Sequence, residues 1–362
     1  MGPTAKRRFM LAGALLLSCP IAMTLFEHFG EALFPAYREF SKTLISVQAG
    51  AASIAPFALW DFLAAALVVA AAIALIMRIV RKRPILPWLS AVVLTLSALF
   101  ALFVWGWALN HYAPSLADEL DLPVREYSVD ELADATEHYL REAAELSTSM
   151  EREPRGELAP RDFNELAGIA GTSYARLAES RAIFRGSTAP VKALLLVGVP
   201  LLYSGHTGIF FSPTGEAGVP LDCAAEELPF IMCHEAAHRL AIASEQEANF
   251  AAYLACSSSD DARFRYSGAL SAFSYCYSAL VRKAPERARE LTDALLSENR
   301  RGVAFVLADR KAMAEHYRAY EGEFKKVGTA VNNRYLTSFG ETAGVQSYGL
   351  VVDYLIAWQQ RT

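Results

Sequence analysis

The segment Leu228-Pro229-Phe230-Ile231-Met232-Cys233-His234-Glu235-Ala236-Ala237-His238 carries the residues best suited to chemistry. Its core is HExxH. On a helix, residues four apart share a face, so His234 and His238 can offer two imidazoles to one ion. Glu235 then stands beside that ion, where a carboxylate can take the proton of a water that the metal polarises. A catalytic zinc site needs a third protein ligand and one open position. Two acids follow in Glu245-Gln246-Glu247-Ala248-Asn249-Phe250. For either to reach the ion, the chain must turn after Leu240 and start a second helix, for which Ser244 is a suitable N-cap. Spacing alone leaves Glu245 and Glu247 both open, although they lie about 200° apart on that helix. With Glu245 inward, Ala248, Asn249 and Ala252 share its face, and the Asn249 amide can hydrogen-bond a ligand histidine. With Glu247 inward, Phe250, Ala251 and Leu254 share its face and offer no such group.

The elements that must position these residues come from a chain of 362 residues, 53% hydrophobic and 20% charged. Three apolar runs, at about 9–26, 57–77 and 85–109, are each close to the ~20 residues that cross a bilayer. Asp61 alone interrupts the second, and Trp105, Trp107 and Tyr112 end the third, as suits a lipid–water interface. Lys6, Arg7 and Arg8 before the first run, and Arg78, Arg81, Lys82 and Arg83 after the second, favour the cytoplasmic side. Residues 27–56 are then an outer loop, and everything after Tyr112 lies outside. The first run reads as an uncleaved anchor rather than a signal peptide, because it continues past Cys19. Nine basic residues stand against four acidic ones through Tyr112, leaving 25 basic and 35 acidic residues beyond it. An acidic body of this kind excludes a nucleic-acid binder driven by bulk charge.

The chain therefore divides into a membrane domain (1–112), a linker (113–127) and an outer body (128–362). Ser128 and Glu131 form a capping box that starts a helix directed toward Met150. Short β-type runs at Leu194–Val197, Gly208–Phe211 and Gly218–Val219 predict a small sheet. Helical patterning resumes at Glu226 and continues to a last apolar helix around Val351–Trp358. Cys223, Cys233, Cys256 and Cys276 permit disulfides outside the cytoplasm, but Cys233 and Cys256 fit better as free core residues. His206 reads as a solvated loop residue, with a site residue as the alternative.

HExxH followed by a helix bearing ExxAN resembles the gluzincin zinc metallopeptidases, whose third ligand is a Glu with Asp or Asn four residues later. That resemblance implies Zn2+ held by His234, His238 and Glu245, with Glu247 the alternative and Asn249 supporting a ligand histidine. A wider likeness joins the three spans to Pro213-Thr214-Gly215-Glu216-Ala217, Leu228-Pro229-Phe230, HExAH, ExEANFxAYLAC and Arg265-Tyr266-Ser267-Gly268. These resemble a domain-of-unknown-function family of bacterial three-span membrane proteins. Arg239 and Ala241 stand where that family leads one to expect Gln and Gly. The implied fold is a multi-span α-helical membrane anchor carrying a helix-rich α+β, zincin-like extracytoplasmic domain with a small sheet. By the gluzincin likeness, Gly205–Val219 holds an edge strand that pairs with an extended peptide, where an ordinary hairpin is the alternative. Tyr348, or Tyr335, would stabilise an oxyanion, unless each is simply a core or surface tyrosine.

The resulting expectation is a multi-pass cell-membrane protein with a cytoplasmic N-terminus and a lipid bilayer as its surroundings. It would act as a zinc-dependent metallopeptidase on a peptide or protein substrate outside the cytoplasm, with Glu235 as general base and no nucleic-acid partner. Two alternatives are a non-catalytic zinc-binding envelope scaffold and an amidase acting on cell-wall peptides. An intact Glu235 speaks against the scaffold, since a structural zinc site has no use for that carboxylate.

Overall fold

The computed structural model describes residues 2–339 and 351–361. Three helices long and apolar enough to cross a membrane come first: α1 (Pro3–Ala52), α2 (Leu59–Val80) and α3 (Leu86–Gly106). None of the residues in the apolar window of α2 is buried. Helix α1 runs further than the sequence reading allows, because residues 27–52, expected as an outer loop, are helical. Their buried residues, Phe34, Tyr37, Ser41, Ile45, Ala49 and Ala52, recur at three- and four-residue spacing, which is an amphipathic helix pattern. The helix leaves helical geometry at Phe29 (φ −127°, ψ 20°), one turn and a half before Pro35, whose ring cannot sit in a straight helix. The second half then docks on the rest of the molecule. Ser41 Oγ donates to the Gly106 carbonyl (2.8 Å), Lys42 Nζ to that of Arg185 (2.9 Å) and Gln48 Nε2 to that of Pro213 (3.2 Å).

Residues 113–127, read as a linker, contain α4 (Leu116–Glu119) and bury Leu116, Leu120 and Leu122 in the main core. The Ser128–Glu131 capping box is formed and opens α5 (Val129–Ser147). Helices α6 (Phe163–Thr172) and α7 (Ala175–Ser180) follow. The sheet region comprises β1 (Lys192–Leu194), α8 (Gly198–Tyr203), β2 (Ile209–Phe211) and β3 (Glu216–Pro220). The rest is helical: α9 (Leu228–Arg239), α10 (Glu245–Ser257), α11 (Ala262–Lys283), α12 (Pro285–Glu298), α13 (Arg300–Arg318), α14 (Glu323–Ser338) and α15 (Val351–Gln359).

The strand order is β1-β3-β2, with β1 parallel and β2 antiparallel to β3. Gly215 turns the β2–β3 hairpin at φ 68°, and a Cβ there would lie 2.7 Å from the Ile45 carbonyl of α1. Leu195–Val197, expected to extend β1, instead turn away, because Asp61 on α2 takes their amides. Asp61 accepts from the N–H groups of Leu195 (2.8 Å), Leu196 (2.6 Å) and Val197 (3.1 Å). In return Glu216 of β3 accepts from the N–H groups of Leu59 (2.8 Å) and Trp60 (3.0 Å) at the start of α2, and from Lys192 Nζ (3.1 Å). Lys192 Nζ also donates to the Ala52 carbonyl at the end of α1. Sheet and apolar helices are thus clasped together by buried charge. All five cysteines are free and buried.

Candidate metal centre

Helix α9 is buried on every side but one. Pro229 in its first turn needs no helical partner for its missing N–H. The Arg265-Tyr266-Ser267-Gly268 segment of α11 locks α9 and α10 from behind. Ser267 Oγ accepts from the Phe230 N–H (3.2 Å), and at Gly268 a Cβ would come within 2.6 Å of Cys256 on α10. Tyr266 donates to Asp309, which also holds Arg152 in a two-pronged ion pair (2.8 Å). Between the two helices the chain turns at Ala241, whose φ of 66° is the left-handed conformation that glycine favours after a helix end. That geometry explains why glycine suits this position. Ser244 stands at the N-cap of α10, but its buried hydroxyl makes no capping bond.

The turn brings His234, His238 and Glu245 together, with one ligand atom of each within 4.8 Å of the others. The two Nε2 atoms are 3.1 Å apart, and Glu245 oxygens lie 3.3 Å from His234 Nε2 and 3.7 Å from His238 Nε2. Tetrahedral zinc with bonds of ~2.0–2.2 Å would hold its ligand atoms about 3.3–3.5 Å apart, so the set has the right size and the right donor types. His238 Nδ1 donates to the Ile242 carbonyl (2.8 Å), which turns the Nε2 lone pair toward the cluster. Burial pushes His238 down to about 4, against the opposing charge of Glu245, so the ring is neutral as a ligand must be. Burial also raises Glu245, but the His234 hydrogen bond and the neighbouring imidazoles outweigh it and hold the carboxyl down at about 2.

Glu247 is not part of this cluster. It accepts from the Leu116 N–H (2.7 Å) and the Tyr354 hydroxyl (3.1 Å), tying α10 to α4 and α15. Asn249 is buried beside His234, whose proton affinity burial lowers but the Glu245 carboxylate, with Glu235 and Asn249 in support, raises overall. His234 Nδ1 and the Asn249 amide nitrogen both lack a hydrogen bond, and turning the amide over would present its oxygen to the ring. Glu235 is buried with Oε2 unpartnered, and burial pushes its carboxyl up to about 8. Gly208, just before β2, makes room for it, since a Cβ there would lie 2.4 Å from Oε1.

These groups line a cleft of about 830 Å³. Residues 205–210, running into edge strand β2, form one rim, and Phe324, Val327 and Val331 of α14 form the other. His206 belongs to this lining and is half-buried, with Nδ1 2.9 Å from Ser204 Oγ, rather than solvated as its loop position suggested. The third apolar helix supplies a wall that the sequence reading missed. Trp107 Nε1 donates to the His238 carbonyl (2.9 Å), and His111 Nε2 lies 2.8 Å from the hydroxyl of Tyr335, which also lines the cleft. Tyr348 lies outside the described residues. Glu227, at the start of α9, also lines the cleft, and burial pushes it up to about 7 against a hydrogen bond from Tyr317.

A family model covers residues 37–356, from the docked half of α1 to the last helix. The chain belongs to DUF3810, a family of proteins of unknown function. Comparison with curated proteins and with solved structures finds no match. The DUF3810 region takes in the clasp, the whole cleft and every residue of the His234–His238–Glu245 cluster. Membership adds no activity. The missed residues carried weak signals only: Trp107 reads as the end of a span, and nothing local marks it or His111 as a neighbour of α9.

Proposed function

We propose that this DUF3810 protein is a membrane-anchored zinc metallopeptidase of gluzincin type, with a zincin-like body that works outside the cytoplasm. The observation that carries the reading is the His234–His238–Glu245 donor set, whose separations suit zinc, with Glu235 buried and unpartnered next to it. Zinc bound there would supply a Lewis acid that polarises a carbonyl and a water. Glu235, with its proton affinity raised toward neutrality, is suited to take a proton from the attacking water and return it to the leaving amine. Edge strand β2, whose outer side pairs with no strand among the described residues, supports an extended peptide as substrate, held by main-chain hydrogen bonds. Tyr335, on the cleft wall, is better placed than a surface tyrosine to donate to a developing oxyanion. An unpartnered Glu235 also favours catalysis over a scaffold, because a structural site would gain nothing from it.

The test is metal content and peptide cleavage by the full-length protein in detergent. Wild type should carry stoichiometric zinc and cleave unstructured peptides. Glu245→Ala should lose both, Glu247→Ala should keep the zinc, and Asn249→Ala should weaken zinc binding by roughly 10–100-fold. Retention of zinc by Glu245→Ala would overturn the assignment. Zinc without any cleavage would leave the metal site standing and remove the peptidase.

A further inference from the structure

Residues 193–205 contain no charge, and they run Ala-Leu-Leu-Leu-Val-Gly-Val-Pro-Leu-Leu-Tyr-Ser-Gly. Within them Leu195 (47%), Leu196 (47%), Val199 (51%) and Tyr203 (44%) are exposed. A water-facing loop seldom presents so many aliphatic side chains together. At about 13 residues the stretch is too short to span a bilayer and has the length of an interfacial or re-entrant segment.

Its other side shows how deep it sits. Leu194 shares a buried cluster with Ala58 and Trp60, and Val197, Leu201 and Ala64 of α2 all pack against it, so the segment lies along the first turns of α2. Helix α2 has 22 residues, or ~33 Å at ~1.5 Å per residue, which matches a hydrocarbon core of ~30 Å with little to spare. Contacts at Trp60 and Ala64 therefore lie at or inside the boundary where α2 enters the bilayer. On α2 itself Phe62 and Leu63 are exposed at the same level, so the apolar surface of the segment continues that of the helix.

Asp61 removes the main objection to such a placement. Backbone N–H groups facing lipid cost several kcal/mol each unless they are satisfied within the protein. Asp61 is 1% exposed and accepts from three consecutive amides, those of Leu195, Leu196 and Val197. Leu201 N–H closes on the Val197 carbonyl (2.8 Å), and position 200 is proline, with no donor to satisfy. Asp61 stands in the first turn of an otherwise apolar helix, and satisfying these amides is what it accomplishes there.

We infer that residues 194–203 form a second kind of membrane contact, a non-spanning element that inserts Leu195, Leu196 and Val199 into the leaflet where α2 begins. The partner is the lipid bilayer. The inference needs α2 to span the membrane, but it does not depend on metal or activity. Trp60 of α2 also stacks on Phe211 (4.6 Å between ring centres), which would set the end of β2, next to the cleft rim, near the bilayer surface.

Nitroxide labels test it in the full chain, reconstituted in phosphatidylethanolamine–phosphatidylglycerol vesicles. The native cysteines are buried, so label goes to an introduced one. Leu196→Cys and Val199→Cys are compared with Leu67→Cys on α2 and with Arg289→Cys, exposed on α12. Labels at 196 and 199 should collide with oxygen and lose access to a water-soluble nickel chelate, as at position 67 and unlike position 289. Nickel access at both, with position 67 in lipid, overturns the inference alone. Shielding from both reagents also overturns it and indicates a protein partner. A water-exposed label at position 67 removes the spanning of α2 and the inference together.

Discussion

Glu216 and Glu235 are both buried glutamates, one on the sheet and one on the helix packed against it, and the protein treats them in opposite ways. Glu216 is met by two backbone amides and the Lys192 ammonium, and its neighbour in the clasp, Asp61, by three more amides. Glu235 has an unpartnered oxygen, and near it His234 Nδ1 and the Asn249 amide nitrogen are unpartnered too. Burying a charge is costly unless hydrogen bonds compensate, so the clasp is built for stability. The cluster around Glu235 keeps its polar atoms available, which is the expected mark of a group with work still to do. In this pair of sites the satisfied carboxylates hold elements together, and the unsatisfied Glu235 faces the cleft.

The largest expected effect comes from Glu235→Gln. Peptide cleavage should fall by about 10²–10⁴-fold, while the thermal midpoint in detergent stays level or rises, since no partner is lost. A clear fall in the midpoint would place Glu235 with Glu216 as a structural residue and erase the contrast.

Asp61→Ala comes next and tests the other side. It strands three amides, each worth on the order of 1–3 kcal/mol when buried and unsatisfied, so a stability loss of about 3 kcal/mol or more is expected. The fraction that remains folded should bind zinc normally. Unchanged thermal unfolding would mean that the clasp is ornamental.

Glu142 sharpens the comparison, because its Oε2 is unpartnered although it is not among the residues lining the cleft. Burial, helped by Glu145, pushes its carboxyl up to about 7. An acid whose folded pKa is raised costs nothing below the unfolded value near 4.5. The cost grows as pH rises from there to about 7 and is complete above it. Glu142→Gln should therefore leave stability unchanged at pH 4 and raise it by about 1–3 kcal/mol at pH 8. Equal stability of variant and wild type across that range would show the carboxylate to be hydrated.

The smallest effect is expected at the turn between the two site helices. Ala241→Gly relieves a left-handed alanine and should add about 0.5–1 kcal/mol without changing zinc stoichiometry. A loss of stability would mean that Ala241 contributes more through burial than its backbone costs.

Much of the site was legible because its logic is local. His234 and His238 share a helix face whatever the rest of the chain does, and Glu245 with Asn249 one turn later repeats that logic on the next helix. The turn at Ala241 was anticipated only as a turn, since its left-handed backbone is not visible in an alanine. The docked half of α1 resembles a loop in sequence although its buried stripe has helical spacing, because Pro35 and scattered charges mask the pattern. Nothing near His206 in the sequence says that it shares a cleft with α14. Trp107 reaches His238 across 131 residues and His111 reaches Tyr335 across 224, and no local pattern can report a contact at that separation.

Taken by itself, the order of residues determined three apolar helices, a basic segment between the second and third, and an HExxH helix followed by an acidic one. These follow from side-chain hydrophobicity and from a helical repeat of 3.6 residues, which act over a few turns. Only the tertiary structure decided that Glu245 meets the histidines while Glu247 braces α4 and α15. The same holds for the wall that the third apolar helix lends the cleft, and for the exchange of carboxylates by which the sheet and α2 hold each other. The rotation of a helix about its own axis, and the depth at which a loop comes to rest, are set by partners distant in sequence. Their energies enter only when the chain is packed.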